Sequence, residues 1–304
     1  MSIQVNNISK IYGTQKALDN VSFDVNEGEI TGFLGPNGAG KSTMMKIITC
    51  YIPPTEGSVR VCGFDINENS IEVRQNVGYL PEHNPLYLDM FVKEYLEFIG
   101  RLHHLKNIKE RVKEMIELTG LQIEQNKKIG ALSKGYRQRV GIAQALIHDP
   151  KVLILDEPTT GLDPNQLGEI RNLIKKIGKQ KTVMLSTHIM QEVEAICDKV
   201  IIINKGKIVA NAPASQINNL TKNNIQLIVE FDKSITKSQL MKINGIANAE
   251  NSNGNTWIIE SVAGKDIRNE VFKFAVDNQL TVLTLQKNEQ KLEDVFKELT
   301  KKSV

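Results

Sequence analysis

The sequence predicts an α/β fold with a mostly parallel central sheet, followed by a smaller α+β domain. Short, almost wholly apolar runs at residues 152–155 and 183–185 are typical of strands that are covered on both faces. Strand-like runs alternate with helical stretches to about residue 210, as such a sheet requires. Residues 213–224 then become polar and rich in asparagine, which indicates a linker between two domains.

The first domain is expected to span residues 1–220 and to contain a helical insert at about residues 86–146. Apolar side chains recur at helical spacing in that insert, for example at Val92, Tyr95, Leu96 and Ile99. Outside the insert, Asp163 and Pro164 predict a helix start, with a capping carboxylate followed by proline in the first turn.

The second domain, residues 221–304, alternates between strand and helix patterns in the order of a βαββαβ unit. Asn253-Gly254 is expected to join two of its strands, and one further helix is predicted at residues 291–300.

Composition excludes several classes of protein. Of the 304 residues, 40% are hydrophobic and 24% are charged, which is typical of a globular chain rather than a disordered one. The net charge of +3 is too small to predict nucleic-acid binding, so no nucleic-acid partner is expected. The three cysteines have neither metal-ligand spacing nor a paired framework, which fits a reducing cytoplasm. No signal peptide and no apolar run near ~20 residues is found, so another chain would have to cross any membrane.

A glycine-rich loop follows the strand predicted at residues 30–34 and precedes a helix. It matches the pattern G-x-x-x-x-G-K-[ST], in which backbone N–H groups and a helix N-terminus bind phosphate. We expect Lys41 to reach the β- and γ-phosphates of a nucleotide, Ser42 to ligate Mg²⁺, and Thr43 to support the α- and β-phosphates. The candidate nucleotide-binding residues in this loop are Gly35, Asn37, Gly38, Ala39, Gly40, Lys41, Ser42 and Thr43.

Acidic residues end the apolar run at residues 152–155, and a histidine follows the next predicted strand. A carboxylate at Asp156 is costly without a partner, and Mg²⁺ with its waters is the natural one. Glu157 would face the γ-phosphate and is the best candidate to orient or deprotonate an attacking water. His188 follows the strand at residues 182–186, at the sheet edge where open α/β sheets bind ligands. The sequence therefore predicts Glu157 and His188 as the catalytic residues.

With these motifs in this order, the chain resembles the nucleotide-binding subunits of ABC transporters over about residues 2–210. The segment Leu132-Ser133-Lys134-Gly135-Tyr136 is similar to the signature loop of that family. The resemblance implies that Ser133 and Gly135 contact the γ-phosphate bound to a second copy. It also implies an Mg²⁺-dependent ATPase that works as a homodimer beside an integral membrane permease, peripheral on the cytoplasmic face of the membrane.

The segment Ile11-Tyr12-Gly13-Thr14 resembles the place where this family stacks an aromatic ring on adenine. The alternative for Tyr12 is an ordinary aromatic at a strand end. Gly161-Leu162-Asp163 resembles the loop that crosses the dimer interface.

Two sites depart from the family pattern. Glu82 stands where the family usually has a glutamine that links the metal site to the membrane subunit, and its carboxylate is expected to approach Mg²⁺ or the lytic water. In the signature loop, Lys134 and Tyr136 replace the usual small residue and glutamine, whereas Ser133 and Gly135 are retained.

Both departures, with the tail at residues 291–296, resemble export ATPases that serve a separate ABC-2 type permease. The stretch at residues 79–87 is most similar to the gliding-motility ATP-binding subunit of that group. The apolar residues of the tail also have the spacing of an amphipathic helix that packs on its own sheet, namely Leu292, Val295, Phe296 and Leu299.

Three other functions stay open at this point. An import-type ABC ATPase often ends in a small β-barrel, which the mixed pattern after residue 224 disfavours. A soluble ABC protein that acts on ribosomes or DNA would carry a second nucleotide-binding domain or a long coiled coil. A nucleotide sensor that does not hydrolyse ATP would leave Glu157 idle.

Overall fold

The computed structural model describes residues 1–219, 226–262 and 266–288. Two compact units are present, Met1–Ala214 and Ser215–Val304. The boundary between them lies a few residues before the one expected at residue 220. Among the described residues, no helix combines the length and the apolar character needed to cross a lipid bilayer.

The first unit combines ten strands with seven α-helices over its described residues. The strands are β1 (Ile3–Tyr12), β2 (Gln15–Val25), β3 (Ile30–Leu34), β4 (Glu56–Val61), β5 (Phe64–Asp65), β6 (Val77–Leu80), β7 (Val152–Asp156), β8 (Thr182–Thr187), β9 (Lys199–Asn204) and β10 (Lys207–Pro213). The helices are α1 (Lys41–Ile48), α2 (Ser70–Asn76), α3 (Val92–Leu102), α4 (Ile108–Thr119), α5 (Lys134–Leu146), α6 (Pro164–Gly178) and α7 (Met190–Ile196). Short 3-10 turns lie at Ile129–Ala131 and Ala214–Asn219.

The central sheet has six strands in the order β10-β9-β3-β8-β7-β6. All neighbouring pairs are parallel except β10 with β9. Alternate residues of β7 enter two different hydrophobic clusters, Leu153 and Leu155 on one side and Val152 and Ile154 on the other. Both faces of the sheet are therefore covered, which confirms the predicted α/β class and explains why these strands are apolar throughout.

A second sheet, with the order β2-β1-β4-β5, is antiparallel and belongs to the same unit. Its strands alternate buried and exposed residues and contain register shifts, so the pattern in the sequence is weaker than that of the central strands. Ile3 and Val5 of β1 share a hydrophobic cluster with Ile47 and Ile48 of α1. This packing places the start of β1 against the end of α1.

The helical insert consists of α3, α4 and α5. The apolar residues that predicted α3 are buried, with Val92 and Leu96 fully enclosed. They pack with Met115 of α4 and Val140 of α5 in one cluster. The hydroxyl of Tyr95 donates to Gln144 Oε1 at 2.7 Å, which ties α3 to α5.

The second unit has the element order that the sequence predicts. It contains β11 (Gln226–Phe231), α8 (Lys237–Leu240), β12 (Ile246–Asn253), β13 (Thr256–Ser261), α9 (Arg268–Asp277) and β14 (Val282–Asn288). The sheet is antiparallel, with the order β12-β13-β11-β14, and Phe231, Leu240 and Val271 lie in its core. The helix predicted at residues 291–300 lies outside the described residues.

Candidate active site

The glycine-rich loop runs from the end of β3 to the start of α1, as the phosphate-loop pattern predicts. Gly40 has φ +109°, and a Cβ built there would lie 2.6 Å from the carbonyl oxygen of Ala17. Any other residue would therefore be both strained and obstructed at this position. The result is a loop that passes close to β2 and leaves the free N–H groups of the α1 N-terminus available to an anion.

Lys41 extends back over this loop and is 6% exposed. Its ammonium group donates to the carbonyl oxygens of Gly35 at 2.8 Å and Pro36 at 3.3 Å. It also lies 3.3 Å from Glu157 Oε1, which is itself 7% exposed. The Lys41 ammonium group is therefore positioned to bind a phosphate. In the absence of a phosphate, the Glu157 carboxylate neutralises its charge.

Asp156 ends β7 and is 1% exposed. Its Oδ1 accepts hydrogen bonds from the hydroxyls of Ser186 at 2.5 Å and Ser42 at 3.2 Å. Burial raises the pKa of Asp156, and the nearby carboxylates of Glu82 and Glu157 raise it further, whereas the two serine hydroxyls lower it. Among the described residues, the side-chain donors to this buried carboxylate are the neutral hydroxyls of Ser42 and Ser186, which favours a cation beside it.

Glu157 is held by contacts to both its side chain and its backbone. Its Oε2 accepts from Thr160 Oγ1 at 3.0 Å and lies 2.9 Å from His188 Nδ1. Its backbone has φ 51°, which is uncommon for a glutamate, and its N–H donates to the hydroxyl of Ser186 at 3.0 Å. A strained residue fixed from several directions is the pattern found at active sites.

The topology of the sheet explains why these residues meet. Strands β3, β8, β7 and β6 are adjacent and parallel, so their carboxyl ends lie at one edge. The glycine loop follows β3, His188 follows β8, Asp156 ends β7 and Glu82 follows β6. This is the edge at which open α/β sheets bind ligands.

A cavity of about 490 Å³ opens at this edge. Residues from the loop, the acidic segment and the end of β1 line it together: Tyr12, Gln15, Ala17, Asn37, Gly38, Gly40, Lys41, Ser42, Thr43, Glu82, Glu157, Thr160 and His188. Two of the predicted nucleotide-binding residues, Gly35 and Ala39, are buried within the glycine loop and do not line the cavity. Asp156 lines an adjoining cleft, and Ser42 and Glu82 line both that cleft and the cavity.

Ser133 and Gly135 lie apart from this cavity and are not among its lining residues. Ser133 is the exposed N-cap of α5 and accepts from the N–H of Tyr136 at 3.4 Å. Gly135 lines a different cleft, between α5 and the start of α6. At α6 the predicted start is confirmed, because Asp163 is the N-cap and accepts from Gln166 N at 2.9 Å.

Sequence reasoning missed several residues of the site. Thr160 and Ser186 both hydrogen-bond to the acidic pair, and Gln15 and Ala17 line the cavity. Thr160 lies three residues after Glu157, and Ser186 lies two residues before His188. Hydroxyl residues so close to a candidate base were the one available signal, and they are too common in sequences to be distinctive.

Comparison with known proteins places this site in a family. The family model described as ABC transporter matches residues 18–160, which include the glycine loop and the acidic pair. The bacitracin transport ATP-binding protein BcrA of Bacillus licheniformis is 34% identical over 302 residues, covering 98% of this chain and 96% of that protein. The chain belongs to the ABC transporter ATP-binding proteins.

Two further similarities support the ABC assignment. The Nod factor export ATP-binding protein I of Cupriavidus metallidurans is 36% identical over 218 residues, covering 71% of this chain and 72% of that protein. Among solved structures, the ATP-binding cassette MJ0796 in a dimeric post-hydrolysis state bound to ADP and Pi matches with a TM-score of 0.64 and 28% identity. The match covers 70% of this chain and 98% of that one. The ABC fold and membership of a nucleotide-hydrolysing family are thus established for this chain.

Proposed function

We propose that this ABC subunit binds ATP in the 490 Å³ cavity and hydrolyses it in an Mg²⁺-dependent reaction that powers an exporter. The observation that carries the proposal is Glu157, buried beside the phosphate loop within 2.9 Å of His188 and 3.3 Å of Lys41. Phosphate oxygens would compete with Glu157 for Lys41, so nucleotide binding releases the carboxylate towards an attacking water. His188 is 43% exposed and lines the same cavity, so its imidazole would be available to the γ-phosphate.

The residues around Asp156 fit Mg²⁺. This ion prefers oxygen ligands and is usually held by one or two carboxylates together with substrate phosphates. Asp156, Ser42 and Glu82 supply oxygen atoms at the junction of the cavity and its adjoining cleft. Within the described part of the chain, no group of three His, Cys, Asp or Glu side chains could hold a metal alone. The bound ion would neutralise charge on the phosphates, and the nucleotide would complete its coordination.

The separation of Ser133 and Gly135 from the cavity supports a homodimer as the active unit. The N-terminus of α5 presents an exposed hydroxyl and free N–H groups, which suit an anion brought by another molecule. We propose that each copy places this end of α5 against the γ-phosphate of the other copy. ATP would then close the dimer, and hydrolysis would reopen it.

Export through a separate permease is the coupling that the relatives favour. One relative is named for Nod factor export and another for bacitracin transport, and the latter aligns with nearly the whole chain. The cleft of about 400 Å³ beside Glu82 offers a place for a membrane partner. Tyr79 and Asn84 line this cleft, and their buried polar atoms have no hydrogen-bond partner within the described residues. We propose that the protein lies on the cytoplasmic face of the membrane and, from residues 79–87, that it is of the gliding-motility type.

Replacing Tyr12 with alanine is expected to weaken ATP binding by roughly 5- to 150-fold, since base–aromatic stacking contributes about 1–3 kcal/mol. Tyr12 is 49% exposed at the rim of the cavity, so its loss should not disturb the core. Titration calorimetry with ATP measures the effect, and Tyr12→Phe, which keeps the ring, is the control. If the alanine variant binds within twofold of the wild type, Tyr12 is an ordinary aromatic at a strand end.

The proposed coupling is tested by tagging the chain in its native membranes and isolating the complex with the hydrolysis step blocked by Glu157→Gln. The proposal predicts a membrane-spanning chain in a fixed ratio to the subunit, and ATPase activity in the wild-type complex that stops when Mg²⁺ is chelated. Recovery of ribosomes or DNA in place of such a chain would contradict export. ATPase activity that persists in excess chelator would contradict the metal requirement.

A further inference from the structure

We infer that Glu192 is a positioning residue that keeps the candidate base, Glu157, and the candidate histidine, His188, correctly placed relative to each other. Glu192 lies on α7 and is 1% exposed. Its Oε1 accepts from Thr159 Oγ1, and its Oε2 accepts from Thr187 Oγ1 at 2.6 Å. Thr159 is two residues after Glu157, and Thr187 directly precedes His188. One buried carboxylate therefore bridges the segments that carry the two candidate catalytic groups.

The charge of Glu192 is not explained by packing. Val193, the next residue on the same helix, is also fully buried, so a buried position on α7 does not by itself require a charged side chain. A buried carboxylate is costly unless it is paired or well hydrogen-bonded. Within the described part of the chain, Glu192 has no Lys, Arg or His within ion-pair distance, and threonine hydroxyls are the donors to its carboxylate. What this costly arrangement provides is a fixed distance between two loops.

Both loops need such support. Glu157 has left-handed backbone geometry, which persists only where the surroundings fix it. Its N–H is held by Ser186, and Glu192 fixes the same loop two residues later through Thr159. On the other side, Thr187 Oγ1 also accepts from Ile189 N at 3.0 Å, so the turn around His188 is held on both flanks. Without the bridge, the 2.9 Å contact between Glu157 and His188 has less to maintain it.

The inference rests on the proposed ATPase function and predicts a defect in turnover rather than in binding. In the part of the chain that the structure describes, Glu192 forms no hydrogen bond or ion pair with the glycine loop or Lys41, so ATP affinity should stay within about twofold of the wild type. Misplacement of reacting groups by about 1 Å can cost on the order of 100-fold in rate. We expect kcat of Glu192→Ala to fall by about 10- to 100-fold with KM little changed. The kcat of Glu192→Gln should fall less, because the amide oxygen of glutamine still accepts a hydrogen bond from one threonine.

Substitutions at Thr159 and Thr187 distinguish a positioning role of Glu192 from a general loss of structure. Thr159→Val and Thr187→Val should each lower kcat, whereas Thr159→Ser and Thr187→Ser keep the hydroxyl and should restore it. Because both act through one carboxylate, their effects should largely vanish in a Glu192→Ala background. Thr119→Val is the matched control, since Thr119 is equally buried but donates only to Met115 O, at 2.7 Å, within α4. That control should keep wild-type kcat.

Steady-state ATPase kinetics and ATP titration on the full chain decide the matter, with Glu157→Gln measured in parallel. The inference is supported by a kcat loss at unchanged ATP affinity, rescue by serine and non-additive double variants. It is overturned if Glu192→Ala turns over like the wild type, or if the valine effects add fully to it. If Glu157→Gln also turns over normally, the base is another residue and the inference about Glu192 fails with it. If the wild-type chain hydrolyses no ATP, the proposed function itself fails, which is a distinct result.

Discussion

Replacing Glu157 with glutamine is expected to slow ATP hydrolysis by roughly 100-fold or more while ATP still binds. Glutamine has nearly the same shape but cannot accept a proton from water. The contacts of Glu157 with Thr160 and His188 show that the side chain is already held in one place, so the change removes basicity more than position. Lys41 keeps its two carbonyl partners in the variant, and phosphate binding therefore survives.

Phosphate release and ATP titration on the same preparation measure both parts of this prediction. Glu124→Gln is the control, because Glu124 is also buried and bonded to a lysine, Lys127, but lies in the helical insert. It should turn over like the wild type. Near-normal turnover of Glu157→Gln would assign the base to another residue.

The second large effect is expected from Ser133→Arg, which should abolish ATP turnover without abolishing ATP binding. An arginine at this helix start adds bulk and removes the hydroxyl where the γ-phosphate of the second copy would lie. Ser133 does not line the cavity of its own copy, so the local binding site stays intact. Asn107→Arg is the matched control, since Asn107 is likewise an exposed N-cap, that of α4, in the same helical insert. If Ser133→Arg hydrolyses ATP at the wild-type rate, the signature loop has no part in the reaction.

The central fold could be predicted because its strands have a strong physical signature. Strands buried on both faces must be apolar throughout, and β7 and β8 stand out from the sequence for that reason. The antiparallel sheet of β1, β2, β4 and β5 could not be assigned in the same way. Its strands mix exposed and buried positions and contain register shifts, so neither a continuous apolar run nor strict alternation marks them.

The candidate site also has a part that the sequence predicts and a part that it does not. The glycine loop and the acidic pair are visible in the sequence because backbone geometry and charge restrict those positions to few residue types. The bridge through Glu192 was not visible. A glutamate in a short helix normally faces solvent, and only the folded structure shows that α7 turns this one inward, onto threonines 33 and 5 residues away in the chain. Tertiary contacts of common residue types leave no local pattern.

The central claim is that no single copy holds a complete hydrolytic site. Light scattering of Glu157→Gln, with and without saturating Mg²⁺ and ATP, tests it most directly because the variant binds ATP and cannot consume it quickly. We predict a change from one chain to two when ATP is added, with two nucleotides bound per dimer. The double variant Glu157→Gln, Ser133→Arg should stay a single chain and still bind one ATP. Monomers of Glu157→Gln at saturating ATP, or dimers of the double variant, would contradict the account.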